Sequence, residues 1–385
     1  MSTQAKLRST GAVRVVERSK RRRHPLRTAL LVLLAAAILI AAAAGTYLFS
    51  LGRAYDSQAK VIDNPFPSES NRPQPRSAAP SGVTPAEGTG TGAAAGPAAG
   101  PAAAAPAQAP GGQALNILVM GSDSRGATVG KAESGSSSDQ RADTLMLVHI
   151  PADRSKIFAI SLMRDLWVDI PGHGRAKINS ALAYGGVPLM VQTVETMFNE
   201  RVDHVAMVDF EGFVGLTDAL GGVEVDIPRS FVSAHDKFSY QQGRTLLDGK
   251  HALEFVRERY SFTDGDYQRV RNQQAFVRAL FAKNLSPETL LNPVKVHNVV
   301  TAMSPFISVD SGLNAAALAN LALELRNVRA DDMEMFTLPT LGIGTSADGQ
   351  SIVLPNQTAI KDIGDALAGD SLDNYVANNG LPDGH

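Results

Sequence analysis

Apolar and polar positions along this chain sort into short buried runs punctuated by turn residues. Residues 115–120 form an apolar run closed by Gly121, the pattern of a buried strand entering a turn. Residues 144–150 and 157–162 read the same way with Pro151 between them, and residues 167–170 form a shorter strand closed by Pro171-Gly172. Helical spacing covers residues 178–199, followed by a strand at 204–208, a helix at 210–220 stopped by Gly221-Gly222, and a strand at 223–227. Helices are predicted at 249–259, 266–283, 288–303 and 312–326, and a last strand at 333–338. Strands and helices interleave, so the class is α/β or α+β, with helices on both faces of a central sheet.

The first third has a different pattern. Residues 28–51 contain no charged residue and are bracketed by Arg27 and Arg53. At ~1.5 Å per residue they are long enough to cross the ~30 Å hydrocarbon layer as one transmembrane helix. The basic cluster before them places residues 1–27 in the cytoplasm and everything after residue 51 outside, on the cell membrane as a single-pass protein. A cleaved leader is the rival, with small residues at 41–45, but the apolar run exceeds the ~7–15 residues of a signal core. Residues 52–112 read as a linker, richest in Pro, Ala, Gly and Ser from residue 64 on. They carry too few large apolar groups to offset the entropy of ordering, so a disordered spacer is expected. The folded domain is expected over 113–363, with a polar tail at 364–385.

Charge sharpens this division. The net charge is −2, but residues 1–27 hold nine basic side chains against Glu17, leaving the rest strongly acidic. An acidic body excludes nucleic acid as the partner, because that affinity rests on phosphate neutralisation. The 385 residues include no cysteine, which excludes disulfides, thiolate nucleophiles and cysteine zinc sites. No G-x-S-x-G or H-E-x-x-H motif occurs, residues 126–131 lack the glycine spacing of a phosphate loop, and the histidines are scattered.

Charged residues instead gather at strand ends. Asp123 follows the first strand, and Arg141 and Asp143 precede the second. If those strands are neighbours, the two aspartates converge, and paired carboxylates beside a hydroxyl suit Mg²⁺. Arg164-Asp165 ends the third strand, on the face where open α/β sheets bind ligands. Lys177 and Asn179 open a helix whose free N–H groups favour an anion. Arg257 and Arg259 end one helix, and Asp266, Arg269, Arg271 and Gln273 lie on the next. Together they make a basic pocket in an acidic domain, and guanidinium groups match phosphate oxygens. Two carboxylates for a metal and several arginines describe a pyrophosphate site.

In order, NILVMGSDSR, RADTLMLVHI, SLMRDLWVDIPG, KINSALAYGG, HVAMVDFEGFVGLTDALGGVEV, LDGKHALEFVRER and DGDYQRVRNQQ resemble the LytR-CpsA-Psr family of cell-wall ligases, over residues 116–338. The resemblance implies a three-layer α/β/α sandwich with a mixed central sheet and an apolar pocket for a polyprenyl tail. It implies that Asp123 and Asp143 hold Mg²⁺ (or Mn²⁺), and that Arg141, Arg164, Arg257, Arg259 and Arg269 grip a pyrophosphate with Gln273 nearby. It implies transfer of a glycopolymer phosphate (teichoic acid, capsule or arabinogalactan) from a polyprenyl-pyrophosphate carrier to the C6 hydroxyl of N-acetylmuramic acid in peptidoglycan. Where the family often has proline before the arginine, this chain has Met163. Asp165 and Asp266 are the candidates for general base. The same residues suit a polyprenyl-pyrophosphate hydrolase, with water as acceptor, or a membrane-bound receptor that binds wall precursors without turnover.

Overall fold

The computed structural model describes residues 50–75, 112–122, 142–284 and 292–381. All but Ser50 belong to one compact unit, Leu51–His385. Its strands are β1 (Lys60–Ile62), β2 (Leu115–Ser122), β3 (Ala142–Ile150), β4 (Ile157–Leu162), β5 (Trp167–Ile170), β6 (Gly174–Lys177), β7 (His204–Asp209), β8 (Val223–Ile227), β9 (Phe231–Val232), β10 (Ser239–Tyr240), β11 (Gly243–Leu247), β12 (Ser308–Asp310), β13 (Met333–Thr337), β14 (Thr340–Thr345) and β15 (Ser351–Pro355). Its helices are α1 (Ser180–Phe198), α2 (Phe210–Ala219), α3 (Gly249–Arg257), α4 (Gly265–Asn284), α5 (Pro293–Met303), α6 (Ala315–Glu324), α7 (Gln357–Ala368) and α8 (Leu372–Asn379). Residues 50–58 are helical as well. The span expected at 28–51 lies almost wholly outside the described residues, and no helix among those described is long and apolar enough to cross a membrane.

The central sheet is mixed and runs β1-β12-β7-β2-β3-β4-β13. Its parallel pairs are β1/β12, β7/β2 and β4/β13, and its antiparallel pairs are β12/β7, β2/β3 and β3/β4. β4 is buried at all six positions, as a strand covered on both faces must be. Along β2 the faces alternate. Leu118 and Met120 meet Val187, Met190 and Val191 of α1 with Ile360, Ile363 and Leu367 of α7. Ile117 and Val119 face the other way, where Val277 and Phe281 of α4 and Leu321 of α6 close the opposite cluster. A separate apolar cluster joins β8, β10, β11, α3 and α4 around Tyr240, Phe255 and Phe276.

Two boundaries differ from the sequence reading. Residues 52–75 are built into the domain rather than forming the start of a spacer: β1 is an edge strand, and Tyr55 packs on Val309 and Leu313. Beyond it, Arg72 reaches the fully buried Glu195 at 2.6 Å, and Arg201 donates to the Pro73 carbonyl at 2.7 Å. Residues 76–111 lie outside the described set. The polar tail expected at 364–385 is also corrected over 364–379. These residues end α7 and form α8, and Ile363, Leu367 and Leu372 sit in the main core. One apolar stripe on otherwise polar helices is enough to anchor them.

Candidate active site

The registers bring the C-terminal ends of β2, β4 and β7 and the start of β3 to one edge of the sheet. Gly121 lies opposite Thr144 but Ser122 opposite Ala142, so Asp143 is the extra residue of a β-bulge. Such a bulge re-aims a side chain out of the ladder. A cavity of about 860 Å³ opens here, between the sheet edge and helices α2, α3 and α4.

One part of its wall is charged. Arg164, two residues past β4, pairs with Asp143, and its Nε lies 3.4 Å from Asp165, whose other oxygen takes Lys177 at 3.1 Å. Across from it, Asp266 in the first turn of α4 accepts from Arg259 at 3.3 Å and forms an ion pair with Arg269 at 2.9 Å. Burial works to lower the Arg164 guanidinium, but Asp143 and Asp165 more than offset this and hold it above its ordinary value. Arg269 goes the other way. Its side chain is only 7% exposed, and burial, helped by the positive charges of Arg164 and Arg259, pushes it below the ordinary arginine value despite Asp266. Its Nε has no hydrogen-bond partner. A buried guanidinium with one carboxylate partner, two cationic neighbours and an idle Nε retains donor capacity for a further anion.

The backbone around these arginines is fixed. Glu258, 4% exposed, accepts from the N–H groups of Arg259 and Tyr260, each at 2.8 Å, and of Ala234 at 2.7 Å. Burial raises its carboxyl, yet these bonds together hold it below the ordinary glutamate value. Asp248 caps α3 by accepting from the His251 N–H, and Asn272 of α4 donates to the Phe255 carbonyl at 3.0 Å, locking the two helices together.

The rest of the wall is apolar: Phe210, Phe213 and Leu216 of α2, Leu253 of α3, and Phe276, Val277 and Leu280 of α4. Along α4 the lining runs from Arg269 and Gln273 to Leu280, a distance of ~16 Å at ~1.5 Å per residue. The cavity therefore passes from a cationic end to an apolar slot. Arg257 spans the change, its guanidinium 4.5 Å above the Phe210 ring.

Of the residues singled out from sequence, Asp143, Arg164, Arg257, Arg259, Arg269 and Gln273 line this cavity. Asp165, Asp266 and Lys177 stand just behind them as ion-pair partners. Asn179 is buried, and its N–H donates to the Arg164 carbonyl at 3.2 Å. Arg271 is not brought in: two positions from Arg269 it points elsewhere on the helix and engages Asp264 and Gln268. Asp123 and Arg141 lie outside the described residues. The resemblance implied an apolar pocket without naming its lining; unforeseen were those lining residues, Tyr260, and a His235–Glu254 pair at 3.2 Å on the cavity wall. The lining of α4 at 269, 273, 276, 277 and 280 follows helical spacing and was the available signal. Asp143 offers a hard oxygen donor at the cationic end, and β2 and β3 are paired as the metal reading required. Because Mg²⁺ needs only one or two carboxylates beside substrate phosphates, this donor set fits it.

A model of the LytR_cpsA_psr family matches residues 99–369. The chain belongs to the LytR_cpsA_psr family. One relative is the cell wall biosynthesis protein LcpA of Corynebacterium glutamicum, 30% identical over an alignment of 276 residues that covers 62% of this chain and 53% of LcpA. A second is the polyisoprenyl-teichoic acid–peptidoglycan teichoic acid transferase TagU of Enterococcus faecalis, 30% identical over 62% of this chain and 74% of TagU. The chain spans about half the length of LcpA and of a second Corynebacterium glutamicum relative, the probable cell wall biosynthesis protein LcpB. Among solved structures, TagT bound to LI-WTA is 26% identical with a TM-score of 0.53, covering 68% of this chain and 92% of TagT. TagV of B. subtilis, 23% identical over 67% of this chain and 97% of its own, shares the fold with a TM-score of 0.57.

Proposed function

We propose that this chain transfers a glycopolymer with its phosphate from a polyprenyl-pyrophosphate carrier to the C6 hydroxyl of N-acetylmuramic acid in peptidoglycan, releasing polyprenyl phosphate. The observation that carries the reading is Arg269, buried, with an idle Nε, flanked by Arg164 and Arg259 at the head of an apolar slot. A pyrophosphate fits the cationic end and an isoprenoid tail the slot, and no small soluble anion needs the second part. The names of TagU and of the TagT complex support the same substrate class.

In this reaction the acceptor oxygen attacks the glycan-side phosphorus in line. A P–O bond forms there while the bond to the bridging oxygen breaks, and the electron pair leaves on polyprenyl phosphate. Arg164, Arg259 and Arg269 neutralise the charge that develops on the leaving phosphate, which is the main demand of phosphoryl transfer. The hydroxyl proton passes to Asp165 or Asp266, the carboxylates that these arginines hold in place. Mg²⁺ or Mn²⁺ held by Asp143 with Asp123 would supply further charge neutralisation at the pyrophosphate when bound. Residues 28–51 anchor the chain in the cell membrane, with residues 1–27 in the cytoplasm and the catalytic domain outside.

The test incubates the full chain with Mg²⁺, a polyprenyl-pyrophosphate glycan and a peptidoglycan oligomer, and follows phosphate by mass spectrometry. A phosphodiester-linked product, reduced about 10²- to 10³-fold in rate by Arg164→Ala, is the expected result. Free glycan phosphate beside polyprenyl phosphate makes the protein a hydrolase instead. Tight lipid binding without turnover makes it a receptor.

A further inference from the structure

The hairpin β5–β6 carries the protein's single tryptophan. Register sets Trp167 opposite Lys177 and Asp169 opposite Arg175. Side chains alternate across a strand, so these four share one face. The other face is spent on the core, where Val168 and Ile170 are buried and Ala176 packs against them. Trp167 is therefore not needed to fill the interior, and it stands half-buried on the outer side with charged neighbours. Arg175 donates from Nη2 to the Trp167 carbonyl at 3.5 Å, which keeps a cation beside the tryptophan.

This face adjoins the reaction centre. Lys177 Nζ is 3.1 Å from Asp165, and Asp165 is 3.4 Å from Arg164 Nε. Lys177 does not line the cavity; register puts it on the Trp167 face, with its ammonium paired to Asp165. From Trp167 the hairpin runs ~13 Å at ~3.3 Å per residue, away from Arg164. At its turn His173 stacks on Tyr184 with ring centroids 4.9 Å apart and planes 18° apart, and Tyr184 is 49% exposed. On the transfer reading the donor's pyrophosphate and tail take the cavity, and the acceptor needs an adjoining surface.

We propose that the outer face of β5–β6 is the acceptor subsite and binds an N-acetylhexosamine glycan strand. One pyranose ring lies on Trp167, and carboxylate-bearing substituents meet Arg175 and Lys177. Aromatic rings edged by polar groups suit a ligand that is apolar on one side and hydroxylated on the other. This rests on the transfer reading, since it is the acceptor hydroxyl that must arrive beside Arg164.

Because Trp167 is the only tryptophan, its emission reports this face directly. The full chain is titrated, without donor, with an N-acetylglucosamine hexamer and then with soluble peptidoglycan fragments. A saturable emission change is expected, with affinity for the fragments lowered at least fivefold by Arg175→Ala. In the transfer assay Trp167→Leu raises the acceptor KM at least tenfold and leaves donor affinity unchanged, and Trp167→Phe restores part of the loss. Unchanged emission at every concentration overturns the proposal. So does an unaltered acceptor KM in Trp167→Leu while transfer proceeds, and in that case the transfer reading survives. If both sugars titrate Trp167 and no transfer occurs, the glycan face stands and the transfer reading falls.

Discussion

Replacing Arg72 by methionine strips a fully buried carboxylate of its cation. Glu195 lies on the core side of α1 at 0% exposure and receives Arg72 Nε at 3.0 and 3.2 Å and Nη2 at 2.6 Å. The Val202 N–H adds one more bond at 3.0 Å. The Arg72 side chain is itself 9% exposed, so little water can take its place. Methionine fills much of the same volume but donates nothing, and Glu195 keeps only the Val202 bond. Removing one partner of a buried pair costs about 3–5 kcal/mol, because the remaining charge is left desolvated. Losing both charges is far milder, so Arg72→Met with Glu195→Gln should recover more than half of that loss. Equilibrium unfolding of the full chain in urea, read by far-ultraviolet circular dichroism, measures both variants. A loss under about 1 kcal/mol in the single variant, or a double variant no more stable than the single, would refute the reasoning. The same logic predicts that a fragment beginning at residue 113 is much less stable than the full chain, since it lacks both Arg72 and β1.

Three further outcomes follow from the site. Arg269→Met should leave stability unchanged or raise it, as measured by Tm, while transfer falls about 10²-fold, because burial opposes that cation and Asp266, partly exposed, keeps Arg259 as its partner. Glu258 has a folded pKa below its ordinary 4.5, so its contribution is present above that value and is lost as pH falls through the lower folded one; Glu258→Gln should flatten the acid limb of a stability–pH curve. Gly249→Ala would drive a Cβ into the Val214 carbonyl, where α2 and α3 touch, and should cost about 1–3 kcal/mol by chemical denaturation while weakening binding of an isoprenoid lipid.

The strands legible in the sequence were those with one dominant signal. Residues 157–162, 167–170 and 223–227 fold with the boundaries their apolar runs suggest. β1 was invisible because it is three residues long and mostly exposed, and β14 because Leu341 and Ile343 face solvent and its glycines weaken the pattern. α7 and α8 were hidden by polar composition around a narrow stripe. At the site, strand ends and helix phase gave Arg164, Arg269 and Gln273. Arg271 was drawn in by nearness in sequence, which helix geometry overrules. The bulge at Asp143 depends on pairing with a distant strand, and the apolar slot is shared among three helices, so neither is written in any one segment.

Arg201 gives the long Pro/Ala/Gly stretch a different mechanical role from that of a spacer. Its Nε holds the Pro73 carbonyl at 2.7 Å, and its own carbonyl accepts the Asn116 side chain at 2.8 Å. Pro73 and Asn116, which flank that stretch, are thus tied to one residue. However many residues lie between, they add nothing to the distance from residue 51 to Arg164, which the folded domain alone sets. Halving or doubling residues 76–111 would change closure entropy by only ~0.6 kcal/mol. Length there is free to drift while the position of the reaction centre stays fixed.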